Sequence, residues 1–399
     1  MYRRKGYSYK RRGYRGGSSG VSFARRKKSK TPLLILIVVV LLVLCAAVVY
    51  FVFFFPKTVP DKTVYTGQPA ESSVNTNEQS KNNNNDKKES SVETSPAETV
   101  KEGYFDGNVF VYDSEGYEMF YGTEDTAKEY AKTVSDIKNK LPDARVYNMV
   151  VPTHTAFGLP KKYLSQQSDQ KQNIDIVYSS YSSDVVSVDA YKSLSEHSGE
   201  YVYFHTDNHW TALGAYYCYQ EFARAAEIKS SRLTDFNEGS IKDFTGALLN
   251  ATLTEESPKG NAQLRKNTDT VVYYDPKADC ACHLLESGSD KEKESTVIAA
   301  FAEGSNAYSA FIWGSNPYVR IDTGSKTGKK LCVIGDSYAC AMVPFLVGNY
   351  DSIFVIDPAL YEGSITDHIK KNKFTDVLIL NSVMNANTEV WINELKSVS

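Results

Sequence analysis

Apolar and polar positions divide the chain into three regimes. Residues 33–55 are an unbroken apolar run of 23 residues. At a helical rise of about 1.5 Å per residue the run spans roughly 34 Å, enough to cross a bilayer. Residues 56–100 show no periodicity. No aromatic occurs between Tyr65 and Tyr104, residues 82–85 are all Asn, and Ser, Glu and Lys fill much of the rest. Such a composition buries too little apolar surface to offset chain entropy, so a disordered linker reaching roughly 35–40 Å is expected. From residue 101 onward the helical and strand periods both appear.

In that third regime, 107–112 reads as a strand. Residues 123–141 have helical spacing, with Ala127, Tyr130, Ala131, Val134, Ile137 and Leu141 on one face, and Pro142 stops them. Residues 145–151, 174–178 and 202–204 read as strands, and Thr211 is positioned to cap a helix running to 227. Further strands are expected at 271–274 and 318–322. The runs 330–334, 352–356 and 375–380 are almost wholly apolar and flanked by helical segments. Strands of that kind suit a parallel sheet covered on both faces, the α/β class. No internal repeat is visible.

Charge refines this division. Residues 1–30 carry twelve Lys or Arg and no acid. A basic flank before an apolar span orients the N-terminus to the cytoplasm and the rest of the chain to the outside. The span ends in Phe53-Phe54-Phe55-Pro56 without the small-residue cleavage site of a signal peptide, so an uncleaved anchor is expected. The chain then comprises a basic cytoplasmic tail (1–32), a transmembrane helix (33–55), a linker (56–100) and an extracytoplasmic domain (101–399). The tail reads as an orienting flank on the inner leaflet, with no nucleic-acid partner. Setting aside its twelve basic residues leaves 33 basic against 48 acidic residues, a charge of −15, which argues against a strongly anionic polymer as substrate. Outside the span lie Cys218, Cys280, Cys282, Cys332 and Cys340, an odd number that is not a disulfide framework. Cys280-Ala281-Cys282-His283 offers only three clustered ligands beside a charged loop, so neither a metal nor another cofactor is expected.

The chemistry concentrates in two runs. Asp207 and His209 stand two apart in 201–215, on one face if the segment is extended. Ser337, in Gly335-Asp336-Ser337-Tyr338, stands where an apolar strand turns into a helix, at the carboxyl edge where α/β folds place their sites. Together they supply a nucleophile, a base and an acid that orients the base. The alternative is structural: Ser337 as a helix cap, Asp207 or Thr211 capping the next helix, and His209 packed on Trp210. The Ser337 N–H is a natural oxyanion donor at a helix start. Asn381, at the end of the strand 377–380, is a candidate second donor or a turn-forming residue. His154 follows a strand end and is a candidate for lining the substrate site. His197 and His368 lie in polar surroundings, and His205 borders the motif.

These residues resemble the DHHW family and, through it, the SGNH hydrolase-like alginate O-acetyltransferases. The family's name motif reads here Asp207-Asn208-His209-Trp210, followed by Thr211-Ala212-Leu213-Gly214-Ala215. The segments 117–120, 150–153, 244–248, 269–276, 336–339 and 344–346 also resemble it, so the likeness covers about 104–395. It implies a three-layer flavodoxin-like sandwich, with Ser337 as nucleophile, His209 as base and Asp207 as its orienter. Asp and His precede Ser, the reverse of secreted GDSL esterases, and chain order is immaterial if the geometry is kept. Asn208 departs from the family's second His. Asp357-Pro358-Ala359-Leu360 stands where relatives have Asp-x-Arg, which argues against alginate as acceptor.

The resemblance implies O-acetyl transfer to a cell-surface or secreted polysaccharide. A multi-pass membrane acyltransferase would deliver the acetyl group from the cytoplasm. A carbohydrate esterase would use the same residues with water as acceptor. A non-catalytic glycan-binding envelope-assembly module would keep only the fold.

Overall fold

The computed structural model describes residues 101–399. The expected tail, transmembrane span and linker lie outside the described residues. Among those described, no helix is long and apolar enough to cross a membrane.

The described chain opens with an antiparallel meander, β1 (Tyr104–Asp106), β2 (Val109–Tyr112) and β3 (Glu115–Tyr117). The β1–β2 turn takes Gly107 at φ +60°, a conformation that a Cβ disfavours. Helix α1 (Glu124–Lys140) is capped by the Thr123 side chain, which accepts from the Thr126 N–H at 3.2 Å, and it buries Ala127, Tyr130, Ala131, Val134 and Ile137. β4 (Arg145–Val151) is buried at every position after Arg145.

Residues 174–178, expected as a strand, belong instead to helix α2 (Gln170–Ser179). Asp169 caps it, and Gln170, Asn173, Ile174 and Val177 are buried at spacings of three and four. Five residues of Ile-Asp-Ile alternation are too short to separate the two periods; the flanking positions decide for the helix. β5 (Val185–Ser187) and α3 (Ala190–Glu196) follow. Residues 202–204 form no strand but one isolated bridge, Tyr203 with Trp210. Thr211 caps α4 (Ala212–Ala225) by accepting from the Gly214 N–H at 3.3 Å.

A two-stranded ribbon follows, β6 (Phe236–Phe244) and β7 (Asp269–Pro276). Next come β8 (Ala281–Leu285), β9 (Glu292–Ser295), β10 (Tyr318–Asp322), β11 (Lys330–Gly335), α5 (Ser337–Leu346), β12 (Ser352–Ile356), α6 (Ile365–Asn372), β13 (Asp376–Ser382) and α7 (Glu389–Val398).

Eight strands form one sheet in the order β5-β4-β13-β11-β12-β10-β8-β9. The first five run parallel. The sheet is not wholly parallel as expected, because β10, β8 and β9 extend it antiparallel. β10 buries Val319 and Ile321 but leaves Tyr318 and Arg320 partly exposed, the alternation of a strand with one wet face. Along the central strands alternate residues serve two cores. Leu331, Val333, Leu378 and Leu380 join α4 and α5 on one face. Cys332, Ile334, Val377 and Ile379 join α1, α2, α6 and α7 on the other. The result is three layers, helices on both faces of a mixed sheet.

Counted from β11, the parallel strands read 2-1-3-4-5, a doubly wound order that this chain enters at its fourth member, β4. The order reverses between β11 and β13. Doubly wound folds bind ligands outside the carboxyl ends of the strands at such a reversal. Ser337 stands one residue beyond the end of β11, after Asp336.

Candidate active site

The turn from β11 into α5 is tightly built. A Cβ on Gly335 would lie 2.6 Å from the Ala339 Cβ and 2.8 Å from the Leu380 carbonyl, so no side chain fits there. Asp336 caps α5 by accepting from the Tyr338 N–H at 3.0 Å. Its other oxygen accepts from the Ser382 N–H at 2.8 Å and the Asn385 Nδ2 at 2.9 Å. Burial pushes its carboxyl above the ordinary range despite these donors. Asp336 thus ties the elbow to the end of β13. Ser337 is the first residue of α5, so its N–H is among those a helix leaves without an internal acceptor.

The Asp207–His209 loop meets this elbow. His209 Nε2 lies 2.6 Å from Ser337 Oγ, and His209 Nδ1 lies 2.5 Å from Asp207 Oδ1. A carboxylate at Nδ1 holds the proton there, which leaves Nε2 to accept from the serine. Asp207 also accepts from the His209 N–H at 3.0 Å and the Ala247 N–H at 2.7 Å. Burial raises the Asp207 carboxyl, but the His209 charge and these donors outweigh it and leave it below its ordinary value. It stays an anion facing the imidazole.

A second buried carboxylate shapes the loop. Asp269 accepts from the His205 N–H and the Thr206 N–H, each at 2.8 Å, and from the Tyr201 hydroxyl. Gly246 approaches so closely that a Cβ there would lie 2.2 Å from the Asp207 Cβ. The Trp210 indole donates to the Tyr338 carbonyl at 3.0 Å, and the Tyr338 hydroxyl donates to the Asn208 carbonyl. These bonds fasten the histidine loop to the serine helix.

Tyr308 completes the arrangement and was not singled out from the sequence. Its ring stacks on His209, with centroids 4.0 Å apart and planes 17° apart, and its hydroxyl donates to the Ser337 carbonyl at 3.1 Å. A tyrosine among small and polar residues in 304–310 carries no local signal of this contact.

A family model described as DHHW protein matches residues 61–356 of the 399. The chain belongs to the DHHW family. A DHHW family protein from Eubacterium siraeum DSM 15702 is 30% identical over 74% of this chain and 96% of that one, with a TM-score of 0.67. Bacillus cereus PatB1 with a sulfonyl adduct is 16% identical over 73% of this chain and 100% of that one, with a TM-score of 0.59, and shares the fold. The O-acetyltransferase domain of Pseudomonas putida AlgJ is 14% identical over 74% of this chain and 99% of that one, with a TM-score of 0.41. No curated protein matches the chain.

In this DHHW protein Asn208 replaces the second residue of the family's name motif. Its Nδ2 donates to Glu118 at 3.2 Å, and its Oδ1 is buried without a partner. Two expected site residues lie elsewhere. Asn381 is fully buried, accepting from the Tyr130 hydroxyl at 2.6 Å and donating to the Ser382 carbonyl at 2.9 Å. Along β13 it shares the face of Val377 and Ile379, toward α1, so its carboxamide is no oxyanion donor. His154 lines a different cavity, of about 460 Å³, with Glu115, Tyr201 and His205. It stacks between Tyr117 and Tyr203. Burial, then the charge of His205, pushes it down to about 4. His197 pairs with Glu200 at 2.7 Å, and His368 stacks on Phe354. Among the described residues no group of His, Cys, Asp or Glu is arranged to hold a metal ion.

Proposed function

We propose that this DHHW protein is a serine O-acetyltransferase acting on a cell-surface or secreted polysaccharide. The observation that carries the reading is the unbroken contact from Ser337 Oγ to His209 to Asp207 at the switch point of the sheet. Ser337 attacks the carbonyl carbon of an acetyl donor while its proton passes to His209 Nε2. Asp207 stabilises the imidazolium, and the Ser337 N–H faces the developing oxyanion. His209 returns the proton to the leaving group, and acetyl-Ser337 remains. A sugar hydroxyl then gives its proton to His209 and attacks the acetyl carbon, which restores Ser337. We further propose a single-pass membrane protein with a cytoplasmic N-terminus, supplied by a multi-pass acyltransferase. The basic flank, the apolar run and the family resemblance support that arrangement.

The test is acetyl transfer by the purified full-length chain. It should cleave an activated acetyl ester, accumulate an acetyl group on Ser337 seen by mass spectrometry, and pass that group to an added polysaccharide. A sulfonyl fluoride should modify Ser337 and stop the reaction. Free acetate as the sole product with every polysaccharide would mean an esterase. A folded protein no more active than Ser337→Ala on any acetyl donor would end the enzymatic reading.

A further inference from the structure

We propose that Asp269 is the positioning residue of the histidine loop: through the Thr206 hydroxyl it fixes both the chain that carries Asp207 and the helical turn that donates to Asp207. This rests on the serine chemistry proposed above.

Asp269 opens β7 and pairs across the ribbon with Phe244, the last residue of β6. One end of the ribbon therefore brings both Asp269 and the segment 245–247 to the loop. Asp269 is buried, and each of its oxygens takes a backbone N–H, His205 on Oδ1 and Thr206 on Oδ2, both at 2.8 Å. The Tyr201 hydroxyl donates to Oδ1 as well, and the His205 Nδ1 lies 3.3 Å from it. Among the described residues every side-chain hydrogen bond of Asp269 goes to 201–206, the approach to Asp207. None goes to the ribbon that carries it.

Because Asp269 accepts on both oxygens, the Thr206 hydroxyl gives its single proton to Oδ2. A lone pair of Thr206 Oγ1 is thereby turned to the Gly246 N–H, which donates to it at 3.0 Å. The Thr206 carbonyl accepts from the Leu249 N–H at 3.0 Å. Thr206 thus holds the turn Ala247–Asn250 at two points. That turn presents the Ala247 N–H to Asp207 Oδ2 at 2.7 Å, while Asp207 Oδ1 faces His209 Nδ1 at 2.5 Å. A single carboxylate sets the residue before Asp207 and the donor opposite it.

Asn at 269 would keep the volume and break this pattern. A carboxamide has one accepting oxygen, so its NH2 would face either the His205 N–H or the Thr206 pair. Buried networks satisfied in full rigidify a structure, and a group left unpaired in them is costly. The chain at 205–206 would shift to relieve the clash of donors, and Asp207 would shift with it. A displacement of about 1 Å at a reacting constellation can cost about 10²-fold in rate. Asp269 touches no reacting atom, so the loss passes through Asp207 and His209 and falls on kcat.

The test uses the full-length chain and an activated acetyl ester. Asp269→Asn and Thr206→Val should each lower kcat at least about tenfold with KM changed less than about twofold, and Thr206→Ser, which restores the hydroxyl, should return kcat to within about threefold of the parent. The second readout is the His209 Nδ1 proton, which a carboxylate partner moves far downfield in the proton spectrum and which His209→Ala assigns. It should move upfield or vanish in Asp269→Asn and Thr206→Val and keep its place in Thr206→Ser. Thermal melts establish that each variant is folded at the assay temperature; if Asp269→Asn is not, Thr206→Val decides. In the folded variant, kcat within about twofold of the parent or an unmoved proton overturns the proposal. So does a Thr206→Ser protein as impaired as Thr206→Val. If the parent cleaves no acetyl ester, the enzymatic reading has failed and the proton decides alone: a shift in Asp269→Asn upholds the positioning role, and a proton that is unmoved, or absent from the parent, refutes it.

Discussion

At the scale of single residues the proposed reaction runs along a proton path whose members depend on one another. In the proposed reaction Ser337→Ala and His209→Ala should each lower kcat on an acetyl ester at least about 10³-fold, and the double variant little more, because such residues act as a unit. Asp207→Asn should cost less than either, since Asp207 touches no reacting atom. Steady-state kinetics on the three variants checks the ranking; additive losses would mean that the contacts are not one path. Tyr308→Phe keeps the stack on His209 and loses one hydrogen bond, so it should retain most activity. Tyr308→Ala should lose about tenfold or more, as the imidazole loses its support. The spacing of Asp207 and His209 and the strand-to-helix position of Ser337 were legible because both are local. Tyr308 was not, because its partner lies about a hundred residues away. Asn381 was misread for a related reason: alternation gives two faces, and only packing tells which one the site uses.

His154 sets a pH dependence. Its folded value is held near 4, against 6.5 for an ordinary histidine, first by burial and then by the charge of His205. Below about pH 6.5 the unfolded chain takes up a proton that the folded chain refuses. The contribution to stability is therefore complete above pH 6.5 and lost as pH falls through 4. The full difference is about 3 kcal/mol at one pKa unit per 1.36 kcal/mol. His205 runs the other way: burial lowers it, but Asp269 and Glu115 outweigh burial and hold it above its ordinary value. The comparison must therefore be by substitution. His154→Phe keeps a ring between Tyr117 and Tyr203 and removes the titrating group. Thermal melts from pH 7 to pH 4.5 should show the variant losing less stability than the parent; parallel curves would refute the assignment.

At the scale of elements, long periodic segments were legible and short ones were not. The face of α1 and the apolar runs of β11, β12 and β13 declare themselves over several turns or over nearly every position. The five residues 174–178 did not, and 202–204 became a single bridge because the chain folds straight back on itself there, with the Phe204 N–H on the His209 carbonyl and the Thr211 N–H on the Val202 carbonyl. One consequence concerns the short helix Ala247–Asn250, whose first N–H donates to Asp207. Gly246 exists to let that helix approach. Gly246→Ala would set a Cβ 2.6 Å from the Thr206 carbonyl as well as against Asp207, so the helix must retreat. Overpacking of this kind costs about 1–3 kcal/mol. Activity should fall about tenfold or more while the far strands β8 and β9 keep their protection from hydrogen exchange. Unchanged kinetics would mean that the helix does not position Asp207.

At the scale of the whole molecule the question is which side of a membrane the DHHW domain occupies. In the proposed reaction, a donor made in the cytoplasm and an acceptor at the cell surface call for a protein that is tethered yet external. Twelve basic residues precede the 23-residue apolar run, and the remainder carries a charge of −15, so the asymmetry favours a cytoplasmic tail. In the proposed arrangement residues 56–100 connect the span to the folded domain outside, and they are where a protease would cut first. Protease added to intact cells stripped of their wall should release a soluble fragment corresponding to about residues 101–399. The basic tail should stay with the membrane, protected. An epitope at residue 1 and another at residue 399 distinguish the two products on a blot. The opposite orientation predicts loss of the N-terminal epitope and survival of the C-terminal one. A cleaved leader predicts a soluble domain without protease and no N-terminal epitope in mature protein. If the C-terminal epitope resists protease until the cells are lysed, the domain faces the cytoplasm, and acetyl transfer to a surface polysaccharide falls with the topology.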